Sequence, residues 1–390
     1  MLRVIDLTQQ VAGPFATLLL AELGADVIKV EPPHEGDPWR TRSQGEPDQG
    51  SFDYLNRRKR SLSLDLASKQ GHALLLRLVA DADAVVESFS PGTLGRLRLS
   101  YRTLKRANPN LILTSISNFG QSGPRRDWQA TELVLQAMGG VVAGTGWEDR
   151  FPLKLAGYQA CHIAGLNAAT ATLAAFFGAR AGTMSGAHID VSIQECLPPH
   201  WARHVSEYAY SGTLPRRERR ENGRQGFPHT AMASDGWLYL LALRAEWESF
   251  AYFLGLEQFV THEFSDSATR AQRWPEIEPH FHTNVAARSK YDWFAAASEL
   301  GYTFAPIESP QEIMEGPHYA ARAFFQPATL TTGATHPVAG LPFSHSMRPD
   351  KPNRAPHLGE HTDEILTALA LNGDEIRALR SAQVIQEALL

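Results

Sequence analysis

The chain has 390 residues, 43% of them hydrophobic and 20% charged, with a formal net charge of -5. That length accommodates two domains with separate cores, and the mild acidity excludes the broad basic field by which a protein holds nucleic acid or an anionic membrane. Two cysteines, Cys161 and Cys196, cannot build a disulfide framework.

Residues 160–180 are the most apolar long stretch, but His162, Asn167, Thr170 and Thr172 interrupt the run that a membrane span requires. The first residues lack a basic-then-apolar signal pattern. A cytoplasmic protein with neither a membrane nor a nucleic-acid partner is therefore expected.

In chain order the pattern starts as strand, turn, helix, strand. Residues 3–7 are a short apolar run, and Ala12-Gly13-Pro14 is turn chemistry with a proline placed to open a helix. Residues 15–23 carry apolar side chains at helical spacing, Gly24 ends them, and 26–31 read as the next strand. A helix at 67–82, a strand at 84–87, a Pro91-Gly92 turn with a helix after it, and a strand at 111–116 continue the alternation. Helices at 131–139 and 160–180 and a strand at 188–193 close this half. Such a rhythm belongs to a parallel sheet covered by helices. The turn at Gly13 does not match G-x-G-x-x-G, so a dinucleotide site of that kind is not supported.

Residues 214–226, LPRRERRENGRQG, hold five arginines; they read either as a solvated linker or as a phosphate-contacting segment. The turn at Asp235-Gly236 and the strand after it open a smaller domain that runs to about Phe325. From Gln326 the pattern is irregular, with a proline-rich strip at 349–356 and a helical tail. The expected division is 1–200 for the first part of a large domain, 201–225 for a linker, 226–325 for a small domain, and 326–390 for the return to the large one.

Seven strings, in register along nearly the whole chain, resemble the class III CoA-transferases (the CaiB/BaiF type, with formyl-CoA:oxalate and carnitine CoA-transferases). They are VIDLTQQVAGPFATLLLAELGADVIKVEPPHEGD at 4–37, NRRKRSLSLDL at 56–66, VVESFSPGTLGRL at 85–97, SISNFGQSGP at 115–124, QAMGG at 136–140, GARAGTMSGAHIDVSI at 178–193 and APHLGEHTDEIL at 355–366. The resemblance implies a Rossmann-like large α/β domain with a parallel sheet, a smaller α+β domain, and an interlocked dimer, homomeric or formed with a related chain. It also implies transfer of CoA from an acyl-CoA thioester to an organic acid, with coenzyme A as substrate and no permanently bound cofactor or metal.

CoA needs cations or backbone N–H groups for its phosphates, a slot for adenine and a channel for pantetheine. Arg57 to Arg60 place four cations beside a turn; alone they read as an ordinary charged loop. By resemblance Arg58, Lys59, Leu64, Ser88, Phe89, Arg96 and Leu97 fall on CoA contacts, and Gln10, Val11 and Ala12 on contacts near the thioester. Val11 stands where formyl-type relatives carry a glutamine, and Pro32 where a basic contact can sit. Phe15, Tyr158 and Trp201 are expected to shape the acyl pocket. Glu132 matches a glutamate that polarises the site.

The family's catalytic aspartate sits four residues before a glycine in a helix of small residues. Counting back from Gly165 gives Cys161, and Tyr158, Gln159, Ala160 and His162 supply no carboxylate in its stead. The family's carboxylate alternates between mixed anhydride and aspartyl-CoA thioester. A cysteine joined to CoA would give a disulfide, so Cys161 cannot replace it step for step. Three routes stay open: direct attack by the acceptor carboxylate, an aspartate from a related partner chain with this chain a non-catalytic CoA-binding subunit, or different acyl-CoA chemistry with His162 as base. For the racemase or isomerase form of that last route, the local G-H-D pattern is absent, and 129–132 read Gln-Ala-Thr-Glu.

Overall fold

The computed structural model describes residues 1–40, 50–214, 217, 228–241, 246–343 and 353–387. The Arg-rich segment, apart from Leu214 and Arg217, lies outside them, as do 349–352 of the proline-rich strip and the side chain of Trp201. The chain forms two compact units, one of 1–142, 154–213 and 324–390, the other of 143–153 and 214–323.

The larger unit is built on six strands: β1 (Arg3–Leu7), β2 (Asp26–Glu31), β3 (Arg60–Ser63), β4 (Ala84–Glu87), β5 (Ile112–Ser117) and β6 (Ala187–Ser192). They pair in parallel in the order β3-β2-β1-β4-β5-β6. The order reverses between β1 and β4, and in open parallel sheets the crevice beyond the carboxyl ends of such a strand pair is where ligands sit. The helices of this unit's first part are α1 (Ala12–Glu22), α2 (Ser51–Asn56), α3 (Lys69–Ala80), α4 (Thr93–Arg96), α5 (Tyr101–Ala107), α6 (Glu132–Met138), α7 (Gln159–Arg180) and α8 (Ala202–Ser211).

Two apolar cores flank the sheet. On one face Ile5, Ile28, Val85 and Leu113 pack with Leu74, Leu75 and Leu78 of α3 and Leu104 of α5. On the other, Val4, Val27, Val86 and Ile112 pack with Ala16 and Leu20 of α1 and with Ala160, Ala164 and Ala168 of α7. Helix α3 begins where the Ser68 hydroxyl caps the Gly71 N–H. Strand β2 is buried at all six positions, as an interior parallel strand should be. It nevertheless carries Lys29 and Glu31, and with Asp6 of β1 and Glu87 of β4 these buried charges gather toward the carboxyl ends of the strands. Burying charge is costly unless it is paired, so that end of the sheet is marked out by its energetics.

In the smaller unit β7 (Thr230–Ala233), β8 (Gly236–Leu241) and β9 (Thr303–Pro306) form an antiparallel sheet. Its inner face packs on α9 (Trp247–Phe253), α11 (Trp274–Val285) and α12 (Lys290–Glu299) through Leu238, Phe250, Phe281 and Trp293. The helices α10 (Ser267–Gln272), α13 (Pro310–Glu315) and α14 (Pro317–Ala321) complete it. The larger unit then resumes with a hairpin, β10 (Phe325–Thr329) and β11 (Thr335–Ala339), and two helices, α15 (Thr362–Ala368) and α16 (Gly373–Ser381). Ile365, Leu366, Ile376 and Leu379 return to the first core.

The hairpin corrects the expectation of irregular chain after Gln326. Its prolines, Pro327 and Pro337, face one another in register in a two-stranded sheet, where every strand is an edge. Helix α1 starts at Ala12, three residues before the periodic run, because Pro14 fits its first turn.

Candidate active site

The loop from Thr8 to Gly13 crosses the top of β1, and the structure holds it at nearly every residue. Asp6 accepts the Thr8 N–H at 2.9 Å and the Thr8 hydroxyl at 2.5 Å. Ser88, just past β4, accepts the Gln9 N–H at 2.9 Å and reaches the Gln9 carbonyl at 3.3 Å. Asp37 accepts the Gln10 N–H at 3.4 Å. Gln10 sits at φ 67, a left-handed conformation uncommon outside glycine. Gly13 has no room for a side chain, since a Cβ there would lie 2.3 Å from the Thr8 Cβ. Of the three expected thioester contacts only Gln10 exposes its side chain; Val11 and Ala12 are buried and offer backbone alone. Val11, the N-cap of α1, makes no side-chain cap bond, and the first turn carries no acidic residue.

Below the loop lies a run of buried charge. Lys29 Nζ donates to the Thr8 carbonyl and to Asp37, each at 2.9 Å. Burial pulls its ammonium down, but Asp37, Asp6 and Glu31 outweigh that and hold Lys29 above its ordinary value. Lys59, fully buried, donates to Asp6, the Pro14 carbonyl and Asn56 at 3.0, 3.0 and 2.8 Å. Arg57 and Arg58 both bond to Glu22, and Arg60 to Asp26 and Glu364. The four cations of the run, of which Arg58 and Lys59 are expected CoA contacts by resemblance, thus each meet a carboxylate of this chain. Arg58, Lys59 and Arg60, with Arg354, Pro356, His361 and Glu364, line a cavity of about 160 Å³ at the start of β3. Leu64 is 1% exposed and belongs to the core on the α3 face.

Beyond β4, Phe89 and Leu97 are half-buried against that same core, and Arg96 is exposed, bonding Thr93 at 2.6 Å. Glu87 accepts the Phe89 N–H at 2.8 Å and the Ser115 hydroxyl. Burial pushes the Glu87 carboxyl up to about 7, against the pull of those two bonds.

Helix α7 brings the remaining candidates to α1. A Cβ on Gly165 would stand 2.6 Å from the Ala12 carbonyl oxygen and 2.9 Å from the Phe15 ring, so glycine lets the two helix starts touch. One turn earlier, His162 packs its ring edge-on against Phe15 with centroids 4.7 Å apart, and its Nδ1 lies 2.8 Å from the Tyr158 carbonyl. Tyr158 stacks edge-on with Trp39.

Glu132, buried at the first turn of α6, reaches across to cap α7: it accepts the Ala160 N–H at 2.7 Å and the Cys161 N–H at 3.3 Å. Helix N-termini normally favour a thiolate. Here burial pushes the Cys161 thiol well above its ordinary value, and the Glu132 carboxylate, by charge and by hydrogen bond, pushes it further. Cys161 is a thiol packed against the second core.

Sequence reasoning missed the residues that place these groups. Gln136, fully buried, donates to Glu132 at 2.7 Å and accepts the Leu155 N–H at 2.8 Å, fixing the approach to α7. Its spacing of four from Glu132 was the available signal. For Lys29, Asp37 and Asp6, the signal was charge inside strands and turns that otherwise read as core.

The sequence profile of CoA-transferase family III matches residues 2–362. The succinate–glutarate CoA-transferase of Agrobacterium fabrum is 31% identical, over 94% of each chain. The formyl-CoA:oxalate CoA-transferase of Afipia carboxidovorans is 30% identical, over 99% of this chain and 97% of its own. The crystal structure of a CaiB/BaiF family protein from Brucella suis superposes with a TM-score of 0.82 at 30% identity, covering 94% of this chain and 98% of that one. The chain therefore belongs to CoA-transferase family III.

Proposed function

We propose that this chain moves CoA from an acyl-CoA thioester to a small organic acid by direct attack of the acceptor carboxylate, with no covalent carboxylate of its own. The relatives named above act on succinate, glutarate and oxalate, which supports a short dicarboxylic acceptor. In the first step an acceptor oxygen attacks the thioester carbonyl, the C–S bond breaks, and a mixed anhydride and CoA thiolate result. The thiolate then attacks the acceptor's carbonyl carbon, and the donor acid leaves with the bridging oxygen.

The observation that carries this reading is the difference between two helix starts that meet at Gly165. The start of α7 is already occupied by Glu132, and Cys161 there is a protonated thiol. Among the described residues no side chain accepts from the first N–H groups of α1, so these groups and the positive end of its dipole are suited to the acceptor carboxylate and the developing oxyanion. Holding both reactants there supplies the proximity that a covalent carboxylate supplies in relatives. In this reading Phe89, Arg96 and Leu97 contact the CoA. The reading includes an interlocked dimer in the cytoplasm.

A single turnover with acceptor labelled by ¹⁸O in its carboxylate tests the route. Direct attack puts one labelled oxygen into the released donor acid and none into the protein. Label retained on a protein carboxyl group overturns it. Transfer that appears only with a related, aspartate-bearing chain favours the rival reading, a CoA-binding subunit of a heteromeric enzyme.

A further inference from the structure

We propose that Lys29 and Asp37 are positioning residues that set the backbone of the Thr8–Ala12 loop for transfer. The inference deepens the reading just given, and rests on this loop being the acyl end of the CoA site. Neither side chain reaches the surface: Lys29 is 0% and Asp37 1% exposed. They pair at 2.9 Å, and each uses its remaining capacity on the loop or on the turn beside it. Lys29 holds the Thr8 carbonyl. The second oxygen of Asp37 accepts from Gln10, at 3.4 Å, and from Trp39, at 2.9 Å.

Trp39 in turn packs on Tyr158, the residue whose carbonyl faces His162. The pair therefore ties the β1–α1 loop to the approach of α7 without touching either the α1 N-terminus or Cys161. Asp37 is itself fixed, because its N–H donates to Glu31 at 3.1 Å, and Glu31 is clamped by Arg40 at 2.7 and 2.8 Å and by Ser61 at 2.9 Å.

A buried ion pair is poor value as a stabiliser, since apolar groups of similar size often serve the fold as well or better. What apolar groups cannot do is hold the Thr8 carbonyl and the Gln10 N–H. Gln10 needs that hold, because a left-handed glutamine is a strained conformation that persists only where its surroundings impose it.

The test compares K29M/D37L with K29M/D37N, in which the amide oxygen of residue 37 still accepts from Gln10 and Trp39. K29M/D37L leaves the Thr8 carbonyl unpaired and takes a cation from Asp6 and Glu31, so its denaturant midpoint should fall while the protein stays folded in buffer. Amide hydrogen exchange in residues 8–12 should rise at least tenfold with residues 3–7 unchanged, and kcat should fall about a hundredfold at unaltered KM for the CoA donor, the scale of a 1 Å misplacement. K29M/D37N restores the acceptor for Gln10 and Trp39 but still lacks the Thr8 donor, so its kcat should lie between, about tenfold below wild type. Wild-type exchange in residues 8–12 of K29M/D37L overturns the proposal. So does wild-type kcat in K29M/D37N, which would make the hold on the Thr8 carbonyl dispensable and stands as the measurement if K29M/D37L does not fold. If the unmodified protein performs no transfer, the proposed function fails while the exchange data still decide whether the pair braces the loop.

Discussion

Two helix starts meet at Gly165 and are built in opposite ways. That of α7 is closed: a buried carboxylate from α6 takes its first N–H groups, and Cys161 in its first turn is a protonated thiol. That of α1 is uncapped among the described residues: its first residues are buried, no acid lies in its first turn, and the loop before it is gripped from below by ion-paired charge. Positive potential at a helix N-terminus is available in both; at α7 Glu132 takes it up, and at α1 the proposed function assigns it to the acceptor carboxylate.

The harshest way to break this arrangement is to force the two starts apart. Gly165→Ala places a methyl group 2.6 Å from a backbone oxygen, where little can yield. Overpacking of this kind costs typically about 1–3 kcal/mol, and here the upper end is expected, with transfer reduced more than a hundredfold. Urea unfolding and steady-state kinetics read both. A variant of full activity would show that the closeness of α1 and α7 plays no part.

The neighbouring strand end sharpens the comparison through pH. Charges under the α1 loop are ion-paired, whereas the partners of Glu87 are neutral, a hydroxyl and an N–H. Its carboxyl titrates near 4.5 when unfolded and near 7 when folded, so the folded state holds the proton more tightly. The contribution is fully present below pH 4.5 and is lost as pH rises through 7, about 3 kcal/mol in all. Glu87→Gln should remove that slope, so that the variant gains on the wild type between pH 5 and pH 7.5 in urea melts. Parallel pH profiles would mean that Glu87 is not the titrating group.

A smaller effect is expected from opening the closed helix. Glu132→Gln keeps one acceptor for α7 and deletes the charge. Losing one buried bond costs about 1–2 kcal/mol. The charge and hydrogen bond that push the Cys161 thiol up are weakened, so alkylation by a small maleimide should quicken roughly tenfold. The measurement is made in a Cys196→Ser background, because Cys196, its own thiol pushed up to about 11 by burial and Glu195, is the second cysteine of the chain. An unchanged rate would show that burial alone protects the thiol.

How much of this was legible in the sequence follows from what periodicity records. The strands at Arg3–Leu7, Asp26–Glu31 and Ala84–Glu87 show as apolar runs between turn signals, and the structure places them as read. Helix α7 shows as a small-residue run, and even the meaning of Gly165 is visible as spacing. The hairpin at Phe325–Ala339 was invisible because its alternation is broken by Pro327 and Pro337. At the site, sequence located Cys161 and Glu132 but not their relation, since a bond from residue 132 to the N–H groups of 160 and 161 is a product of the fold. The run from Arg57 to Arg60 showed only its charge for the same reason: its carboxylates come from Asp6, Glu22, Asp26 and Glu364. A basic string records charge, and only the packed chain shows how much of it is already neutralised.

The smallest expected effect is the most informative about chemistry. If the start of α7 is closed, the sulfur of Cys161 does no more than fill space against the second core. Cys161→Ala then removes one polarisable atom from a half-buried place, costing about 1 kcal/mol or less, and transfer should stay within threefold of wild type. A thiol that carried the acyl group, or donated a proton to the leaving sulfur, would make the same change cost orders of magnitude in kcat with stability intact. Such a loss would mean that the capped helix is the working one. The uncapped N-terminus of α1 would then have to be explained by something other than an acceptor carboxylate.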